Sequence, residues 1–266
     1  MSKLFSRIGA ATAALAATAA LLVCWWLPTS AGAAQTVTLH TSFSPDKLGA
    51  STTIGFSFHI ASTTNEMSAP LTSVSLSLPP GINYVKTTLG LAICQPAALL
   101  AKGLSGCSPN SRLGAGNAFV ELPFGKESGY EIPDIQALMG PPHNGNIVVL
   151  FYAEGRKPVS AQLVFQGELL TGSEVLGGSL NTAVPLIPSV PNGPPVSIVS
   201  VQATIGPSHL TYYTHAHGRR VAFHPQGVSV PLSCPRGGFP FSASFTFLDG
   251  SSAVAKSVVP CPRRRR

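Results

Sequence analysis

A chain of 266 residues with a formal charge of +7 invites a nucleic-acid or membrane reading, which the position of the charges removes. Lys3 and Arg7 stand in an apolar leader and Arg263, Arg264, Arg265 and Arg266 end the chain. Between them eleven basic side chains face ten acidic ones, so no basic face and no nucleic-acid partner are expected.

In chain order the first element is a secretory signal over residues 1–33: a charged start, an Ala/Leu-rich stretch over 8–27, Pro28, then Ala31-Gly32-Ala33 as an A-x-A cleavage site. The stretch is long enough to cross a bilayer, so an uncleaved anchor is the competing reading. The helix-stopping Pro28 and the small-residue site favour cleavage before Ala34. Val23 precedes Cys24 where a lipidation signal needs Gly, Ala or Ser, so no lipid anchor is expected.

Low charge content (10%) with 26 glycines and 24 prolines argues for many short strands joined by turns in the mature part. Ile54, Phe56, Phe58 and Ile60 alternate with Thr53, Gly55, Ser57 and His59, the period of a strand with one buried and one wet face. The same period runs through Val37-Leu39-Thr41-Phe43, Val74-Leu76-Leu78, Val159-Ala161-Leu163-Phe165 and Phe239-Phe241-Ala243-Phe245-Phe247. Turn residues separate the runs: Asn144-Gly145, Glu154-Gly155 and His217-Gly218, the last between strands at 210–216 and 219–223. One short helix is expected over 96–102, with Pro96 at its start and Gly103 just past its end.

Without Cys24 four cysteines remain, Cys94, Cys107, Cys234 and Cys261, an even set suited to an oxidising compartment. Four thiols allow three pairings; pairing by nearness joins Cys94 to Cys107 and Cys234 to Cys261, closing loops worth about 3 and about 3.5 kcal/mol in the chain-entropy model. The first pair would staple the helical loop onto the sheet. No C-x-x-C pair marks a metal site.

Five prolines between 185 and 195 are either an interdomain linker or a rigid surface loop. Neither flank has its own full set of core runs. The expected architecture is therefore an all-β, antiparallel β-sandwich or jelly roll over 34–262, with 185–195 as the one point of subdivision and 263–266 as a basic tail.

No catalytic motif stands out in the sequence. His209, His215, His217 and His224 crowd one hairpin, but a two-residue His217-Gly218 turn sets Ala216 opposite Arg219, His215 opposite Arg220 and His224 opposite Thr211. That disperses the imidazoles, so neither a metal nor any other cofactor is expected. His209, Tyr212, Tyr213, His215 and His217 instead form a candidate binding surface. Ser44-Pro45-Asp46-Lys47 matches S-x-x-K without the companion motifs that make it catalytic. Glu121, Glu127, Glu131, Asp134, Glu154, Glu168 and Glu174 are candidates for a glycosidase pair, Glu154 and Glu168 by flanking one hairpin, yet no pair is specified.

Three segments, Leu89-Gly90-Leu91-Ala92-Ile93-Cys94-Gln95-Pro96, Gly106-Cys107-Ser108-Pro109-Asn110-Ser111-Arg112-Leu113-Gly114 and Cys234-Pro235-Arg236-Gly237-Gly238-Phe239-Pro240-Phe241, resemble a group of secreted, β-rich proteins of high-GC Gram-positive (actinobacterial) soil bacteria. The group has no established function, so the resemblance implies no catalytic residue. The four-arginine end departs from its short end after Cys-Pro.

The expected function is a non-catalytic extracellular or envelope-associated binding or structural module, whose partner is a cell-wall polymer, polysaccharide or surface protein. Membrane contact would come only through an uncleaved signal or weakly through the terminal arginines. The alternative is a secreted polysaccharide-acting hydrolase using two carboxylates.

Overall fold

The computed structural model describes residues 35–262 other than 65, 83, 85–87 and 171–176. The segment expected to be a secretory signal, Glu174 and the terminal arginines lie outside the described residues.

Alternating apolar residues give strands because period 2 is the only spacing that puts all of them on one face of a sheet. β1 (Gln35–Ser44) and β2 (Ser51–Ser62) pair as a hairpin with Leu39 opposite Phe58 and Phe43 opposite Ile54. β3 (Leu71–Ser77) follows, and a long connection carries α1 (Pro96–Lys102). Next come β4 (Arg112–Phe124), β5 (Glu127–Glu131), β6 (Asp134–Met139), β7 (Ile147–Gly155), β8 (Ala161–Leu170) and β9 (Ser179–Ala183). β10 (Ser197–Ile205), the hairpin β11 (Tyr212–Ala216) and β12 (Arg219–Phe223), and β13 (Val228–Ser229) lead to β14 (Phe239–Phe247) and β15 (Ser252–Val259).

The protein is all-β and antiparallel, and α1 lies in the loop closed by Cys94–Cys107. One sheet runs in the order β1-β2-β10-β4-β6-β7-β8-β9-β3-β14-β15, with β13 beside β2 and β5 beside β4. It nearly closes on itself. Thr41 of β1 donates from its backbone N–H (3.1 Å) and from its hydroxyl (2.9 Å) to Ser257 Oγ of β15. Neighbours around the path are antiparallel throughout, so an odd number of strands brings β15 back parallel to β1, and hydroxyls bridge this seam.

Across the interior, Phe58 of β2 meets Phe245 of β14 edge to face at 5.0 Å, and Phe43 meets Phe239 and Phe241. Such pairs add about 1 kcal/mol each beyond burial. All five apolar residues of β14 are buried and their alternates are wetter, as the period requires. Outside the sheet, α1 buries Leu99 against Leu138 of β6 and Leu150 of β7. The helical loop thus has a small core of its own beneath it.

The second disulfide, Cys234–Cys261, ties the connection before β14 to the end of β15. The proline-rich stretch is a rigid surface loop that folds as a hairpin, with Val196 N–H donating to Ile187 C=O and Ser189 N–H to Pro194 C=O. Ser189, fully buried, fastens its tip through Oγ to the Pro123 carbonyl at 3.0 Å. Strands of the one sheet come from both sides of it.

Candidate functional site

The inner face of the sheet is apolar all the way round but is not filled. A cavity of about 170 Å³ lies between β2, β3 and β14 on one side and β4 to β10 on the other, and a second of about 110 Å³ adjoins it. Phe56, Leu76 and Leu180 border both. Phe56, Phe151, Phe165 and Val201 point inward yet remain only half-buried, the mark of side chains facing empty space.

Small residues make the room. Ala118, Ala153, Ala203 and Ala243 stand at inward positions on four different strands. On β8, a Cβ at Gly167 would meet Thr182 Oγ1 at 2.4 Å and Leu180 Cδ1 at 3.0 Å, so glycine is what lets β8 and β9 approach there. At one end the proline hairpin contributes Pro185, Leu186 and Ile187 to the lining. Beyond it the strands β11 and β12 mark the other end, where β10 finishes and β4 begins.

Among the described residues Thr182 is the one polar side chain lining the larger cavity, and its hydroxyl has no hydrogen-bond partner there. Among the described residues no charged side chain lines either cavity. Cavities of this size and lining stay dry and accept molecules as large as benzene.

The β11–β12 hairpin has the register read from the sequence: His215 opposite Arg220 and Ala216 opposite Arg219, around a His217-Gly218 turn with φ of 50° and 74°. Arg220 lies over the Tyr213 ring at 3.6 Å, and His209, His215 and His217 are exposed. Tyr212 is withdrawn from the surface expected of it. It is fully buried; its hydroxyl donates to the Arg112 carbonyl and accepts from Gly90 N–H at 2.9 Å. Burial pushes its phenol above the ordinary value, opposed by the Gly90 hydrogen bond. The Asn110 side chain pairs with the backbone of Tyr213 on both sides, at 2.7 and 2.8 Å, docking the hairpin against the loop before β4. His224 Nδ1 lies 2.9 Å from the Leu210 carbonyl.

Among the described residues the candidate carboxylates do not converge on a recess. Glu154 sits opposite Gln162 while Glu168 sits opposite Val148, six positions along β8, about 20 Å away at 3.3 Å per residue. That is too far for an acid and base pair, and flanking one hairpin lengthwise is the reason. Glu168 accepts from Asn146 Nδ2 at 2.8 Å and lies 3.4 Å from His143, and the Asn146 hydrogen bond leads in holding its carboxyl below the usual range, the wrong direction for a general acid. Asp134 and Glu154 are cross-strand neighbours on the outer face, shared by Arg156 at 4.0 and 3.5 Å. Buried Glu131 accepts from the Lys157 backbone N–H.

Charge is sorted by the ends of the sheet, which the near-neutral total conceals. The end carrying the β11–β12 hairpin holds Lys47, Arg112, Arg219, Arg220 and Arg236 against Asp46 and Glu168 among the described residues. At the opposite end Glu66, Glu121, Glu127, Asp134, Glu154 and Asp249 outnumber Lys126, Arg156 and Lys157.

Comparisons of the chain with models of protein families, with curated proteins and with solved structures give no match. No signal in the local sequence marks the cavity. Inward alanines and Gly167 are its only trace, and their phase becomes readable once the register of β7 to β10 is known.

Proposed function

We propose that the mature protein is an exported, non-catalytic binding module that holds an apolar small molecule inside its sheet. Export is supported by the leader layout of residues 1–33 and by two disulfides, Cys94–Cys107 and Cys234–Cys261, which persist in oxidising compartments. The observation that carries the ligand class is the unfilled apolar interior, with its half-buried inward Phe56, Phe151 and Phe165. A purely structural module gains nothing from an inner void, whereas a ligand that fills it recovers the lost contacts. The ligand is uncharged where it is buried, because a charge there would lose its hydration without a partner. Its single polar group, if it has one, pairs with Thr182.

The test is titration of the mature protein with an uncharged, polarity-sensitive fluorophore, followed by competition with alkanes, long-chain alcohols and long-chain fatty acids. Saturable uptake, with displacement by the uncharged competitors ahead of the acids, is expected. Ala153→Leu and Ala203→Leu fill the void and should remove uptake while holding or raising the melting temperature. A protein that takes up no apolar probe, or whose filled variants bind unchanged, refutes the reading.

A further inference from the structure

The end of the sheet that bears the β11–β12 hairpin combines two features that occur together nowhere else among the described residues: an excess of cations and exposed large apolar side chains on loops. Leu232, 87% exposed, stands on the connection between β13 and β14, beside Gly49 of the β1–β2 turn. Leu91 and Ile93 are exposed on the loop before α1, and Val221 on β12. These loops are joined to one another: Ala92 N–H donates to the Asn110 carbonyl, Asn110 pairs with Tyr213, and Gln226 N–H donates to Thr88 Oγ1.

Between residues 209 and 224 there are two arginines, four histidines and no carboxylate. The opposite end also exposes apolar groups, Phe124, Tyr130 and Ile132 among them, but its excess of carboxylates would be repelled by a negative surface.

We propose that the protein docks through this end onto an anionic phospholipid bilayer, with Arg219, Arg220 and Arg236 at the headgroups and Leu91, Val221 and Leu232 entering the interface. The proposal rests on the apolar-ligand reading, since it names the surface from which such a ligand is taken up or to which it is delivered. Cations supply attraction to headgroup phosphates, and exposed leucines contribute only where hydrocarbon is within reach. A hydrophilic anionic polymer would use the first and leave the second in water, whereas a bilayer engages both. The second cavity lies at this same end, lined by Ile54, Leu113 and Ile205 from the strand termini there.

The experiment is flotation of the mature protein with vesicles of phosphatidylcholine alone and of phosphatidylcholine with phosphatidylglycerol. Flotation with the anionic vesicles only, lost in about 0.5 M salt, is expected. Arg219→Gln with Arg220→Gln should weaken it about 30-fold, at about one kcal/mol per cation. Leu91→Ser with Leu232→Ser should weaken it further, and Lys126→Gln with Lys157→Gln at the opposite end should leave it unchanged. Circular dichroism and probe uptake in vesicle-free solution establish that each variant is folded and loaded. Uptake in solution without charge-dependent flotation overturns docking and leaves the ligand reading standing; absent uptake overturns the ligand reading. Equal flotation of the arginine variant overturns docking, as does retention on an anionic polysaccharide that is insensitive to the leucine substitutions.

Discussion

Ser257 Oγ accepts two hydrogen bonds from Thr41, one from its backbone N–H and one from its hydroxyl, and by these the last strand of the sheet is joined to the first. Eleven strands in an antiparallel path leave β1 and β15 parallel at the seam, where the antiparallel ladder of every other neighbouring pair is not available. A short hydroxyl on one strand takes over part of what the ladder does elsewhere. Ser257→Ala should lower stability by about 1–2 kcal/mol, read from chemical denaturation, and speed amide exchange at Thr41. Ser257→Thr, which keeps the oxygen, should recover most of the loss.

Thr182 faces an apolar cavity with its hydroxyl unpartnered among the described residues. Thr182→Val removes that desolvated group and should raise stability by about 1 kcal/mol. The same change should weaken binding of a long-chain alcohol relative to the alkane of equal length. Parallel losses for both ligands would show that the hydroxyl faces no ligand group.

Tyr212 ties the β11–β12 hairpin to the loop at Gly90 and to the start of β4. Tyr212→Phe keeps the ring and removes both hydrogen bonds, so a loss of about 1–2 kcal/mol and faster proteolysis of residues 209–224 are expected. The raised phenol value carries a pH signature. Folding favours the neutral form, so this contribution is whole below the unfolded phenol value near 10 and is lost as pH rises through the higher folded value. Alkaline unfolding curves of wild type and Tyr212→Phe should therefore converge as pH increases past that range.

Glu168 gives the opposite sign. Its carboxyl is held low chiefly by Asn146, so its contribution is present above the unfolded glutamate value and fades as pH falls through the lower folded one. Asn146→Ala should move the Glu168 titration, followed by carboxyl NMR, upward toward the ordinary range. An unmoved titration would assign the depression to another group.

The disulfide Cys94–Cys107 and buried Leu99 hold one helical loop on the outer wall. Removing the bridge by Cys94→Ser with Cys107→Ser should lower stability by about 3 kcal/mol. Leu99→Ala should cost about 2–5 kcal/mol even with the bridge intact, because α1 packs on Leu138 and Leu150 and is not merely tethered.

Much of the fold is legible in local sequence. Alternation locates β1, β2, β3, β8 and β14, and Pro96 with Gly103 bounds α1 at the residues observed. β4 is harder to read because Gly114 and Gly116 interrupt its apolar period; a Cβ at either would collide with the backbone of β10, so close strand approach explains them. β15 is hidden by exposed Val254 and Val258, which stand on the outer face out of phase with the core residues Ala255 and Val259.

For the candidate sites the division follows the range of the interaction. The His217-Gly218 turn and the register of the hairpin around it depend on residues near in sequence, so composition and spacing determine them, whereas spacing only favours the pairing of the four cysteines that the structure shows. Whether Ala153 and Ala203 face solvent or an unfilled interior depends on how the whole sheet closes, and Tyr212 is drawn inside by partners about a hundred residues away, at Gly90 and Arg112. Net charge is a sum that does not change when the chain folds. Its separation into a cationic and an acidic end is created only when antiparallel strands bring distant loops to the same end of the sheet.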